Sequence, residues 1–196
     1  MRMRIIFGKG VFAVQQKETI KQRFTNSLFE YFAWVPVGVS LFVCIALFFA
    51  RSIVVSGHSM QPTLQNGDLM LTSGLFYEPS RGDVVVLNKE TFFYGQPIVK
   101  RVIAVAGDNI DINFQTGEVW LNGTLLDEPY IAEPTYTNEG MPFPQTVPKG
   151  CVFVMGDNRN HSDDSRHPNL GMVDTRYIIG RVCVVLPFGK LFEELG

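Results

Sequence analysis

The sequence predicts an antiparallel all-β domain preceded by one N-terminal transmembrane helix. Beyond Arg51 the chain breaks into short β-branched runs separated by Gly, Pro, Asn and Asp, a pattern of strands and turns. Gln115-Thr116-Gly117 and Asn122-Gly123 read as hairpin turns, the second of type I′, whose two central residues both need positive φ. No window in this half sustains a helical apolar period. Ahead of it, Tyr31–Ala50 is one uncharged apolar run.

Residues 1–30 carry six Lys/Arg against two acidic residues, whereas residues 31–196 carry eleven against seventeen. The apolar run is twenty residues long; as a helix it spans about 30 Å, the hydrocarbon thickness of a bilayer. Tyr31 and Trp34 gather at one end, as interfacial aromatics do, and Pro36 falls near the start, where a helix tolerates it. The long segment in front argues against a cleaved leader, which has a shorter apolar core and fewer residues before it. Basic residues crowd that front segment, while Arg51 stands alone just after the run. The bias predicts a cytoplasmic 1–30, a spanning 31–50 and an extracytoplasmic 51–196, in an inner or plasma membrane crossed once.

In the outer domain the candidate strands are Ile53–Ser56, Asp68–Ser73, Asp83–Asn88, Pro97–Ala106, Asn109–Phe114, Glu118–Asn122, Cys151–Met155 and Arg181–Leu186. Leu126–Lys149 holds five prolines and few apolar runs, and reads as a long excursion over the surface. Cys151 and Cys183 lie in apolar strands and read as two small buried hydrophobes. Phe92-Phe93-Tyr94 offers two readings, a loop dipping into the membrane interface or side chains packed beneath a hairpin. The acidic balance of the outer domain would repel phosphate backbones, so no nucleic-acid partner is expected.

Three groups of residues could do chemistry. Ser59 sits nine residues past the apolar run, which keeps it within about 30 Å of the membrane even on an extended link. A serine hydroxyl needs a base to become a nucleophile. His58 adjoins Ser59 and points to the opposite face of an extended segment. His161 and His167 share a polar loop with Asp157, Asp163 and Asp164, which leaves a Ser-His-Asp triad open.

Lys100 is the better base. Alternation puts it on one strand face with Ile98, Val102, Ala104 and Ala106, and Arg101 on the other. Desolvation on such a face lowers an ammonium's pKa. A fall from about 10.4 to about 7–8, worth roughly 4 kcal/mol, would make it a base near neutral pH. The plain alternative is a strand-end lysine snorkelling to solvent. The run Met155–Arg166 has the composition of a hydrogen-bonding loop. Together with the adjacent His167, its residues His161, Asp163 and Asp164 match no metal-ligand spacing, and neither a metal nor a cofactor is expected.

Four segments in order carry a resemblance. They are Ser56-Gly57-His58-Ser59-Met60-Gln61-Pro62-Thr63-Leu64, Arg81-Gly82-Asp83-Val84-Val85, Lys100-Arg101-Val102-Ile103-Ala104-Val105-Ala106-Gly107-Asp108, and Gly156-Asp157-Asn158-Arg159-Asn160-His161-Ser162-Asp163-Asp164-Ser165-Arg166. Behind a transmembrane segment, this ordered set resembles the bacterial type I signal peptidases, membrane-bound serine proteases that remove signal peptides from exported proteins. The resemblance implies Ser59 as nucleophile and Lys100 as the general base that also protonates the leaving amine. Ser162 is then the hydroxyl that orients the lysine. Asp164 and Arg166 form a supporting ion pair, Arg101 and Asp157 another, and Gly156 lets backbone approach Lys100 closely.

The oxyanion hole takes the Ser59 N–H. One branch of the family adds a serine hydroxyl two residues before the nucleophile; Gly57 stands there in this chain, leaving the Gly57 backbone or a water as second donor. The implied fold is a β-sheet catalytic domain with a smaller β-rich region at about 107–150. The implied substrates are preproteins with signal peptides, added as an extended strand to a sheet edge and cut after small residues. Ser56–Met60 and Ile98–Ala104 are candidate walls for shallow pockets. The lipid bilayer is an implied partner, with the protein-export translocon a candidate beside it. A conjugation-type relative of the same fold and a non-catalytic anchored β-domain that binds exported proteins remain open as alternatives.

Overall fold

The computed structural model of the chain describes residues 32, 34–44, 50–74, 76–92 and 95–188. The chain divides into two compact units, Met1–Phe48 and Phe49–Gly196. In the first, residues 34–44 are helical and exposed, Trp34, Val37, Leu41 and Phe42 among them. Among the described residues no helix is long and apolar enough to cross a membrane. The expected cytoplasmic 1–30, and 31, 33 and 45–49 of the expected span, lie outside the described residues. Ala50, counted with that span from sequence, belongs instead to the first strand.

The second unit is built from β1 (Ala50–Val54), β2 (Leu69–Ser73), β3 (Val84–Leu87), β4 (Ile98–Val105), β5 (Asn109–Asn113), β6 (Glu118–Leu121), β7 (Thr124–Leu125), β8 (Gln145–Thr146), β9 (Cys151–Met155), β10 (Val173–Asp174) and β11 (Ile178–Leu186). Seven strands form one sheet in the order β1-β2-β11-β3-β4-β9-β10, and four form a second in the order β7-β6-β5-β8. The pairings are antiparallel. β5 shows why: Ile110 and Ile112 point inward while Asn109, Asp111 and Asn113 stay exposed, the period-two pattern of a half-buried strand. Asn122 and Gly123 join β6 to β7 at φ 53° and 77°, the two positive values a type I′ turn requires.

Three apolar clusters hold the unit together. One joins the sheets, packing Ile103, Ala104, Phe153 and Met155 against Ile110, Ile112, Val119 and Leu121. A second gathers Val85, Leu87, Val102 and Val154 with Phe92 and Leu170. Phe92 is therefore a core residue, its ring 5.9 Å from that of His167, and it does not reach for a membrane; Phe93 and Tyr94 lie outside the described residues. The third cluster packs Val55, Met60, Leu64, Met70 and Val86. Each such side chain contributes about 1.5–3 kcal/mol on full burial, so Met60 and Leu64 anchor the turn that carries Ser59.

Several elements depart from expectation. β1 ends at Val54, because Gly57 at φ 99° turns the chain out of the ladder. A register shift between Val102 and Ala104 breaks the alternation of β4. Ala104 thereby joins Ile103 in the first cluster, and Ala106 is exposed in a turn, so neither shares a face with Lys100 as period two had suggested. β11 starts at Ile178, three residues early, and the two-residue strands β7, β8 and β10 are additions. Cys183 is exposed rather than buried, and both it and the half-buried Cys151 are free thiols. They sit on β11 and β9 with β3 and β4 between, some 14 Å at about 4.8 Å per strand, far beyond the reach of a disulfide.

Candidate active site

The Ser59 turn is fixed at both ends by backbone bonds. Val55 N–H donates to Asp68 O at 2.8 Å, Gly67 N–H to Val55 O at 2.9 Å, and Leu64 N–H to Met60 O at 2.9 Å. Lys100 lies in β4, flanked by β3 and β9, and is only 3% exposed. Its Nζ stands 2.8 Å from Ser59 Oγ. Burial pulls the lysine's pKa down to about 8, against opposing attraction for its proton from Asp164, Asp163 and Glu139.

The loop after β9 holds this pair from behind. Asn158 donates from its N–H to Ser59 O (3.0 Å) and from Nδ2 to His58 O (3.1 Å), clamping the backbone at Ser59. Asp164 Oδ2 accepts from Gly156 N–H at 3.0 Å and from the Ser162 hydroxyl at 3.1 Å. Arg166 grips Asp164 through Nε and Nη2, both at 2.8 Å, with neither side chain exposed. Ser162 thus places its proton on Asp164. A Cβ at Gly156 would lie 2.2 Å from Ser162 Oγ and 2.5 Å from the Ser59 carbonyl. The nearest atoms spared by the missing side chain are therefore those of Ser162 and the Ser59 carbonyl.

The Gly57 N–H donates to Asn66 Oδ1 at 3.0 Å. It is already spent, which removes it as the second oxyanion donor expected from sequence. The Ser59 N–H meets no acceptor among the described residues. The three histidines do not assemble a triad. His58 Nδ1 pairs with Gln61 Nε2, His167 Nδ1 accepts the Asn169 N–H, and His161 is exposed at the cleft rim.

Ser59 and Lys100 open into a cleft of roughly 640 Å³. Its walls run from Ile53 to Met60 and from Gln96 to Lys100, with Val86 between; Asp163 joins His161 on the polar rim. The expected wall at Ile98–Ala104 is therefore displaced toward Gln96 and stops at Lys100.

On the far side of β4, Arg101 binds Asp157 through Nε (2.8 Å) and Nη2 (2.6 Å) and lies 4.1 Å above the Tyr130 ring. Asp157 also receives the Thr63 hydroxyl at 2.5 Å. Asp157 is fully buried, so Arg101→Ala should strand its charge and cost about 3 kcal/mol, read as a lowered thermal midpoint.

Sequence reasoning missed four contributors. Glu128 and Thr135 bind the fully buried Arg159, Tyr130 stacks beneath Arg101, and Glu139 meets Arg166 at 3.0 Å. All four lie in the proline-rich excursion, at sequence distances no short motif spans. The one available signal was the presence of carboxylates in a loop facing an arginine-bearing block.

A dry amine within hydrogen-bond reach of a serine hydroxyl, opening into a cleft on a β-sheet, is a geometry in which a serine hydrolase could activate its serine. Residues 28–187 match the family described as signal peptidase, peptidase S26. The chain is 33% identical over 190 residues to "Signal peptidase I" of Bacillus licheniformis, covering 90% of this chain and 97% of that one. It is 34% identical over 178 residues to "Signal peptidase I S" of Bacillus subtilis, covering 85% and 93%. A crystal structure of a signal peptidase I from Enterococcus faecalis aligns with 29% identity and a TM-score of 0.44, over 55% of this chain and 98% of that one. The chain belongs to the signal peptidase family and is a serine endopeptidase.

Proposed function

We propose that this chain is a membrane-anchored endopeptidase that cuts signal peptides from exported preproteins after small residues, with Ser59 and Lys100 as a catalytic dyad. The observation that carries the reading is the 2.8 Å approach of a buried lysine amine to Ser59 Oγ. The neutral amine takes the hydroxyl proton as Oγ attacks the scissile carbonyl carbon. The Ser59 N–H stabilises the oxyanion of the tetrahedral intermediate. Collapse breaks the C–N bond, the Lys100 ammonium gives its proton to the departing amine, and an acyl-enzyme on Oγ remains. Water then enters, gives a proton to the neutral lysine and attacks the acyl carbon; the bond to Oγ breaks, Oγ takes the proton back from the Lys100 ammonium, and the acid leaves. Ser162, Asp164, Arg166, Arg101 and Asp157 support the dyad by holding the backbone around it.

The anchor reading is supported by the apolar run at 31–50, by the exposed apolar helix at 34–44 and by the basic bias before the run. Exposed Val54 and Leu186 flank Leu69 in one row across β1, β2 and β11, an apolar strip suited to lying against lipid. In that setting preproteins reach the cleft from the bilayer side, with the export translocon as a candidate neighbour.

A serine-reactive penem tests the reading. Acylation of Ser59, followed by intact mass, should quicken as pH rises through about 8, because only the neutral amine accepts the proton. A pH-independent rate, or no adduct on Ser59, rejects the dyad and returns the chain to a binding role.

A further inference from the structure

We propose that Glu139, which lies in the proline-rich excursion and outside all four family-like blocks, is a positioning residue that holds Asp164 and Arg166 in place and tunes how tightly Lys100 keeps its proton. The proposal rests on the Ser59–Lys100 reading.

The excursion wraps the end of the loop after β9. Arg166 Nη1 donates to Thr137 O at 2.9 Å, and Met141 N–H donates to Arg166 O at 3.0 Å. Between these, Glu139 Oε1 lies 3.0 Å from Arg166 Nη2, while its Oε2 accepts the Asp164 N–H at 3.2 Å. Asn160 Oδ1 pins the same stretch by accepting from Tyr136 and Thr137 N–H at 2.9 and 3.0 Å. Only 9% of the Glu139 side chain is exposed. From Asp164 the contacts continue to Gly156 and Ser162, and a Cβ at Gly156 would strike the Ser59 carbonyl. Two bonded steps therefore connect Glu139 to the walls of the dyad.

The same placement gives Glu139 an electrostatic lever. The charged groups facing it are Arg166, Asp164 and Asp163 from the loop after β9 and, beyond them, Lys100 from β4. When Lys100 is neutral, three carboxylates share one guanidinium, and an ammonium on Lys100 restores part of the balance. The Glu139 charge thus favours the protonated lysine and works against the desolvation that makes it a base. Burial and the neighbouring Asp164 hold the Glu139 carboxyl up at about 7, so its charge changes just below the lysine's own range.

The test is the pH profile of kcat/KM for the full-length protein in vesicles, with a presequence-bearing substrate. Glu139→Gln removes the charge at nearly constant size; its midpoint should move to lower pH by about half a unit. Glu139→Asp keeps the charge on a shorter arm; its midpoint should stay with the wild type while its plateau falls. An unmoved midpoint in Glu139→Gln, with plateaus lowered alike in both variants, is the behaviour of a merely structural carboxylate and overturns the proposal. A wild-type profile with no midpoint in the lysine's range instead condemns the dyad itself, and the tuning role with it.

Discussion

Lys100→Ala should lose at least about ten-thousand-fold in kcat/KM, the upper range for removing a general acid–base group. The loss belongs to both halves of the reaction, since in the proposed dyad the same amine deprotonates Ser59 and protonates the leaving group. Lys100→Arg should be equally inactive, because a guanidinium stays protonated at any working pH. Lys100→Met separates chemistry from folding. The buried lysine binds its proton less tightly when folded, at a pKa of about 8 against 10.5 in the unfolded chain. Below the folded value it is charged in both states, and folding bears the full cost of burying that charge, about 3 kcal/mol. The cost fades as pH rises from the folded to the unfolded value. Lys100→Met should therefore be more stable than wild type at neutral pH, an advantage that shrinks in alkali, while remaining inactive. Thermal unfolding and turnover of the purified variants check both statements. A variant that is both active and destabilised would mean the amine is neither the base nor dry.

What the sequence disclosed divides along physical lines. Cys151–Met155 was legible as a strand because it is a bounded apolar run, and Asn109–Asn113 because its two isoleucines alternate with polar residues. The Asn122-Gly123 turn was legible because few other residues accept two successive positive φ values. Two-residue strands such as Val173–Asp174 carry no period at all. The early start of β11 was hidden by Gly180, which reads as a breaker; a Cβ there would lie 2.8 Å from the Ser73 backbone, so glycine is what allows the strands to pass. In the site, Lys100 stood out as a charge on an otherwise apolar strand face, yet alternation misassigned Ala104, because a bulge has no reliable signal in composition. The commitment of the Gly57 N–H to Asn66 was equally hidden, being a side-chain bond across nine residues. Glu128 and Glu139 reach their arginines across more than twenty residues, and charge pairing at that range follows only from the fold.

Gly156→Ala should lower kcat/KM by about a hundred-fold or more while leaving the protein folded. The added methyl would sit 2.2 Å from Ser162 Oγ, 2.5 Å from Ser162 Cβ and 2.5 Å from Ser59 O, all closer than real Cβ contacts allow. Of these the carbonyl is the hardest to move, because Asn158 N–H holds it at 3.0 Å and the buried Met60 follows it directly. Relief must come from displacing Ser59 away from the loop after β9, and hence relative to Lys100. A shift near 1 Å in a reacting pair is enough for a hundred-fold loss. Overpacking at one position costs about 1–3 kcal/mol, less than the whole stability of a domain. The double variant Gly156→Ala with Ser162→Gly distinguishes the causes. It removes both serine contacts and leaves the carbonyl clash, so it should be less active than Ser162→Gly alone if Ser59 displacement is the damage. Activity equal to that of Ser162→Gly would place the damage in Ser162 instead, and the glycine would then serve the hydroxyl bonded to Asp164 rather than the Ser59 carbonyl.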